Sequence, residues 1–292
     1  MVKNVFIYRT NCPFCKSKNI NSIYSKKYFS KDTKTFFKRH LNNFPIYILK
    51  NRDFIVMECA DCTGIFQKNI LNKNYTNKFY EKYVPHDVAL KKKKNNSEYL
   101  TKVQSYEILL IKSYFKDISN IKVLEIGAGW GFWSINAKKN NLDVTAVELS
   151  KTRRKYLRKN KIKVYTSVDA IDKKFDFIFS DQTFEHLSHP YDYLKKVSKL
   201  MNKGGIIYLK VPPGIYIKKK LNKNYRFCQD EIIPLEHINV FNRKVNKIMA
   251  NKLGIKYLYP KNVYNFFSKD FFKKNLINFY EYYSSKTIVF QK

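Results

Sequence analysis

Two Cys-x-x-Cys pairs, Cys12 with Cys15 in CPFC and Cys59 with Cys62 in ECADC, supply four thiolates. Four is the number that a tetrahedral structural zinc site takes, and each short spacing lets both sulfurs of a pair face one ion. Reduced core cysteines or a redox pair share this spacing and stay open as alternatives. The long spacer between Cys15 and Cys59 has to fold between the knuckles. With Cys228 the cysteine total is five, and the N-terminal run MVKNVFIYRTNCPFC lacks an apolar core followed by a small-residue cleavage site. An odd count without a secretory signal argues against a disulfide framework, so Cys228 reads as an unpaired buried thiol.

A second set of chemistry-bearing residues lies in VLEIGAGWGFWS, where Glu125 stands just before Gly127, Gly129 and Gly131. Glycines before a helix suggest phosphate binding, but a dinucleotide fingerprint is spaced Gly-x-Gly-x-x-Gly and carries no acid ahead of it. A carboxylate at that strand end repels a diphosphate and attracts an ammonium or sulfonium group. Glu148, at the end of the next strand, is placed to accept hydrogen bonds from ribose hydroxyls. The implied ligand has a ribose, a positive charge and no phosphate, and S-adenosylmethionine fits that description. Taken singly, each glycine is also explained by a tight turn and each acid by surface charge.

These residues need strands that end at them and helices that begin after them. The sequence predicts strands at Val123–Ile126, Val144–Val147, Lys163–Tyr165, Phe175–Phe179 and Ile206–Lys210, with helices at 131–140, 151–160 and 189–201 between them. Such alternation gives an α/β sheet of parallel strands with crossover helices. Ahead of it, apolar residues at Leu100, Val103, Ile108, Ile111 and Phe115 form an approximate helical stripe. Beyond it, Asn242 can cap a helix at 243–252, and Ile255–Leu258 and Thr287–Gln291 can form a closing strand pair. FPIYILKNRDFIVMEC is a β-prone run leading into the second cysteine pair, and KKKKNNS at Lys91 to Ser97 reads as a solvated linker or helix start. The expected organisation is a zinc-binding domain at 1–70, a linker and helical cover at 71–118, and a catalytic domain at 119–292.

With LEIGAGWGFWS, AVELS, FDFIFSDQTFEHLSHP and MNKGGIIYLKVPP in order, the chain resembles the class I S-adenosylmethionine-dependent methyltransferases over Lys122 to Pro213. The resemblance implies a Rossmann-like, seven-stranded sheet, mostly parallel with one reversed strand, and a small zinc-ribbon-like N-terminal domain. It implies cofactor-binding roles for Glu125, Gly127, Gly129, Gly131, Glu148, Asp169 and Asp181, with Asp169 near the adenine. A helix cap explains Asp169 nearly as well. Trp130 is a candidate for stacking near the methionine moiety, while Phe132 and Trp133 suit the core.

The four-cysteine segment and EHINVF are similar to the glycan- and sugar-type methyltransferases. That resemblance implies a histidine base, here His237, beside Glu236. Pro234 stands where those enzymes carry a tyrosine. Glu185 and His186, after the fourth strand, are further acid-base candidates, because open parallel sheets bind ligands at the carboxyl ends of their strands. A histidine titrates near neutral pH and suits the base role; for His186, packing of its loop is an equal alternative.

The net charge of +34 is spread along the chain as scattered lysine, together with much Asn, Ile, Tyr and Phe. That pattern follows compositional bias more than a clustered nucleic-acid footprint. No stretch approaches the roughly 20 apolar residues of a membrane span, and a cytoplasmic protein is expected. The leading partner is a small-molecule acceptor, a sugar nucleotide or glycan precursor. The alternatives are an RNA methyltransferase with a zinc-binding segment and a non-catalytic scaffold of this fold. SDQTFEH lacks the Asn-Pro-Pro-Tyr type of segment that many base-amino methyltransferases use.

Overall fold

The computed structural model describes residues 5–85, 91, 107–214, 216–228, 231–259 and 286–292. Its strands, in chain order, are β1 (Phe6–Tyr8), β2 (Ile20–Lys27), β3 (Asp53–Cys59), β4 (Ile65–Gln67), β5 (Asn69–Leu71), β6 (Lys122–Ile126), β7 (Asp143–Val147), β8 (Lys163–Tyr165), β9 (Phe175–Asp181), β10 (Met201–Lys210), β11 (Asn239–Val240), β12 (Lys256–Leu258) and β13 (Thr287–Gln291). The chain divides into two compact units. One comprises Met1–Lys91, Glu185–Tyr191 and Pro212–Met249, and the other Lys92–Phe184, Asp192–Val211 and Ala250–Lys292.

The second unit holds a seven-stranded sheet in the order β12-β13-β10-β9-β6-β7-β8. β10, β9, β6, β7 and β8 pair in parallel, and β13 runs antiparallel to both β10 and β12. The sheet thus has the expected single reversed strand. Its inner strands are unbroken apolar runs because parallel strands are covered on both faces: Val123, Leu124 and Ile126 of β6 and Phe177, Ile178 and Phe179 of β9 are all buried. The crossover helices Phe132–Lys139, Lys151–Lys159 and Pro190–Lys199 lie where the sequence puts them. Residues 107–114 are helical, with Ile108 and Ile111 buried against Val123, Trp133 and Phe177. Leu100, Val103 and the stretch from 92 to Ser97 lie outside the described residues. β10 begins earlier than expected, at Met201, with an irregularity before Ile206.

The first unit holds an antiparallel sheet, β11-β4-β3-β2, and a two-stranded pair, β1-β5. Its core is aromatic, with Tyr28, Phe37, Phe54 and Phe79 almost fully enclosed. Only the second half of FPIYILKNRDFIVMEC is a strand. After Pro45 the residues Ile46–Leu49 form a 3-10 turn, and Asn51 takes a left-handed conformation (φ 59°) before β3 begins. The boundary differs from the one read in the sequence. Residues 185–191 and 212–249, assigned there to the catalytic domain, join the cysteine-bearing unit because β11 extends its sheet through β4. The helix Arg243–Leu253 follows, capped by Asn242, whose Oδ1 accepts from the Val245 N–H at 2.9 Å. Cys228 is exposed, contrary to the expected buried thiol.

Candidate functional site

After β6 the chain turns through Gly127, Gly129 and Gly131, all at positive φ (72°, 57° and 70°). A Cβ on Gly127 would lie 2.1 Å from Thr183 Oγ1, and one on Gly131 would lie 2.1 Å from Leu157 Cδ2. Packing therefore requires the outer two glycines. The middle one differs: a Cβ on Gly129 meets nothing within 4 Å, so this stretch of backbone is open to a ligand.

The acid ahead of the glycines is buried (5% exposed). Glu125 Oε2 accepts from the Ser134 N–H at 3.1 Å and from the Ser134 hydroxyl, tying the first turn of helix Phe132–Lys139 to the end of β6, where a carboxylate also suits the helix dipole. Glu148 braces the same turn from β7: one carboxylate oxygen accepts from the Gly129 N–H and the other from the Ser150 N–H, both at 2.7 Å. A carboxylate oxygen has two lone pairs, so Glu148 keeps acceptor capacity for hydroxyls of a ligand. The open glycine and this carboxylate fit a ribose-bearing cation.

Asp169 is exposed and paired with Lys196 at 2.8 Å. Asp181, at the end of β9, lies 3.1 Å from Lys210, which also pairs with Glu107. Burial opposes the charge on Lys210, but the two carboxylates outweigh it and raise the pKa above the usual lysine value. Trp130 packs edge-on to Tyr156 (5.5 Å). Trp133 stacks on Phe179 at 4.3 Å in the core, the place expected for it from the sequence.

In the first unit, Glu185, His186 and His237 bring their side-chain donor atoms within 4.8 Å of one another. The two imidazoles meet edge to face at 5.0 Å, and Glu185 Oε1 is 3.9 Å from His186 Nε2. His186 Nδ1 lies 2.8 Å from the Glu236 carbonyl and 2.9 Å from the Tyr80 hydroxyl. Because a carbonyl only accepts, the Glu236 contact puts the ring hydrogen on Nδ1. Burial, with His237 adding to it, holds His186 down to about 3, and burial pushes the Glu236 carboxyl up to about 7. Tyr80 is raised by burial and then by Glu236 and Glu185. The sequence had singled out both Glu-His pairs. It gave no sign of Tyr80, which sits in a run of aromatics.

The four paired cysteines converge in the same unit. Cys12 and Cys62 Sγ are 3.5 Å apart, as are those of Cys15 and Cys59, and all four lie within 4.8 Å of one another. Sulfurs on one tetrahedral zinc at about 2.3 Å lie about 3.8 Å apart, so the cluster has the right size. Lys16 and Thr63, each one residue past a pair, both take left-handed φ (69° and 58°). The two knuckles thus fold alike. The hydrogen bond from Cys62 pulls the Cys12 thiol down to about 5, and the same crowding drives Cys62 far up.

A seven-stranded sheet with one reversed strand and a braced glycine turn after its first strand defines the Rossmann-like methyltransferase class. Residues 99–258, more than half of the chain, match the methyltransferase domain family, and the chain belongs to that family. Among curated proteins it is similar to two named ubiquinone biosynthesis O-methyltransferase. One, from Rickettsia bellii (strain OSU 85-389), is 27% identical over 143 residues, 46% of this chain and 56% of that protein. The other, from Pelagibacter ubique (strain HTCC1062), is 32% identical over 108 residues, 34% of this chain and 45% of that protein. The chain spans about half the length of these relatives. A solved structure of the plantazolicin methyltransferase BpumL, in complex with a monoazolic desmethylPZN analog and SAH, is 16% identical, with a TM-score of 0.49 over 75% of this chain and 93% of that one. The magnesium protoporphyrin IX methyltransferase of Synechocystis PCC 6803 is 10% identical, with a TM-score of 0.43 over 66% and 79%.

Proposed function

We propose that the chain transfers a methyl group from S-adenosylmethionine to a proton-bearing atom of a small-molecule acceptor, a sugar nucleotide or glycan precursor, and that its four paired cysteines hold a structural zinc. The observation that carries the acceptor reading is the Glu236–His237 pair beside His186. A base is needed only where the nucleophile carries a proton, and a carboxyl at about 7 is poised to accept one near neutrality. S-adenosylmethionine supplies a methyl carbon on a sulfonium, an activated group whose sulfur leaves as a neutral thioether. The acceptor atom bonds to that carbon as the carbon–sulfur bond breaks, and the acceptor's proton passes to Glu236 or His237. Alignment and exclusion of water supply much of the remaining rate. The relatives named O-methyltransferase favour oxygen as the receiving atom.

On the cofactor side, Gly127, Gly129 and Gly131 shape the approach, with Glu125 holding the turn, Glu148 taking the ribose hydroxyls, and Asp169 and Asp181 flanking it. Glu148→Ala is expected to weaken S-adenosylmethionine binding by about 1–3 kcal/mol, since it removes charged hydrogen bonds. It also frees the Gly129 N–H. Calorimetry reads this directly, and unchanged affinity would remove Glu148 from the site.

The acceptor reading is tested with nucleotide sugars as probes. His237→Ala and Glu236→Gln are each expected to lower turnover by about 100-fold or more with S-adenosylmethionine affinity unchanged. Turnover should rise with pH through about 7, because Glu236 must lose its proton before it can take another. An RNA substrate gives a different result: tight binding to bulk RNA that falls steeply with salt as counterions are released, with methylation that depends on RNA.

A further inference from the structure

Arg9 stands three residues before Cys12 and is buried (6% exposed). One of its terminal nitrogens donates to the carbonyls of Leu187 (3.2 Å) and Ser188 (2.8 Å). The other donates to the Ile238 carbonyl (3.1 Å), Asn239 Oδ1 (2.9 Å) and, at longer range, the Gln67 carbonyl (3.5 Å). The fork thus grips the residues just after His186 and just after His237. Direct bonds reinforce it: the Ile238 N–H donates to the Glu185 carbonyl at 2.9 Å, and Asn239 Nδ2 donates to the carbonyls of Glu185 and Leu187. Gln67, shortly after Cys62, completes the cradle by donating from Nε2 to the Ile233 and His237 carbonyls and accepting from the Leu235 N–H. Neither histidine lies in an extended strand or a long helix. Their meeting at 5.0 Å depends on what holds their two segments together.

We infer that Arg9 is the positioning residue that sets the geometry of His186 and His237. Every acceptor of its guanidinium is an oxygen of the two segments or of Gln67, so one buried side chain ties the stretch after His186 to the stretch after His237. Lysine cannot replace it, because an ammonium does not present donors in two parallel rows. This inference rests on the proposed role of the histidines.

The test uses the full chain with histidine labelled at ring Cε1, in which each of the five histidines gives one ring signal. His186 and His237 are assigned from single His→Asn variants. Arg9→Met is expected to shift both signals and raise the apparent pKa of His186, which burial holds low, with metal content and S-adenosylmethionine affinity within about twofold of wild type. Arg9→Lys should do the same, which guards against Arg9→Met failing to fold, and millimolar guanidinium should restore the signals in Arg9→Ala. Unmoved signals in the Arg9 variants would overturn the inference.

Discussion

Cys59→Ser is expected to lower the chain's metal content from about one zinc to near none and to destabilise the cysteine-bearing unit, while S-adenosylmethionine binding stays within about threefold of wild type. The size of the effect follows from linkage. A structural zinc site contributes its binding energy to folding, about 10–16 kcal/mol in small zinc-binding peptides. Here the four-cysteine cluster proposed to hold it spans β3 and both knuckles, with Cys12, Cys59 and Cys62 fully enclosed. Serine keeps the size of the side chain but is a poor ligand for zinc, and the remaining thiolates are left crowded without a cation. The aromatic core around Tyr28 and Phe54 is separate from the sulfurs, so the loss should begin at the knuckles. Hydrogen exchange should accelerate first around residues 9–20 and 57–68. Metal analysis together with exchange decides the matter: a protein that contains no zinc yet shows full protection in those segments has no structural metal site.

Gly129→Val is expected to weaken S-adenosylmethionine binding by more than about 100-fold while the chain still folds. The three glycines share a left-handed backbone, yet only Gly129 faces open space. A branched side chain there strains the backbone by about 1–2 kcal/mol and fills the approach to the Gly129 N–H, which Glu148 holds in place. Gly127→Val and Gly131→Val act differently, driving a side chain into Thr183 or Leu157, and should lower the melting temperature far more. Calorimetry on the three variants beside their thermal melts separates the cases. Normal affinity in a folded Gly129→Val would show that no ligand approaches this turn.

Much of the sheet was legible because its signals are local. The apolar runs at Val123–Ile126 and Phe175–Phe179 are strands within two residues of their expected bounds, since a strand covered on both faces has to be apolar throughout. The closing pair β12-β13 was legible from its β-prone residues. Ile46–Leu49 was not, because β-prone side chains do not reveal that Pro45 and Asn51 bend the backbone around them. The acids at the strand ends were found for their charge, but what they bond was hidden. Glu125 meets Ser134, and Glu148 meets the N–H groups of Gly129 and Ser150.

By itself the sequence determined which residue types recur at which spacing: the cysteine pairs, the glycine turn after a strand, the two Glu-His pairs and the strand order along the chain. These follow from side-chain period and turn chemistry, which operate over a few residues. Tertiary structure alone decided that β11 joins the cysteine-bearing sheet, that the two histidines meet, and that Arg9, Gln67 and Tyr80 hold them. Those partners are far apart in the chain, 229 residues for Arg9 with Ile238 and 106 for Tyr80 with His186. No periodicity carries information over such separations, because a buried donor finds its acceptor only after the chain has closed around both.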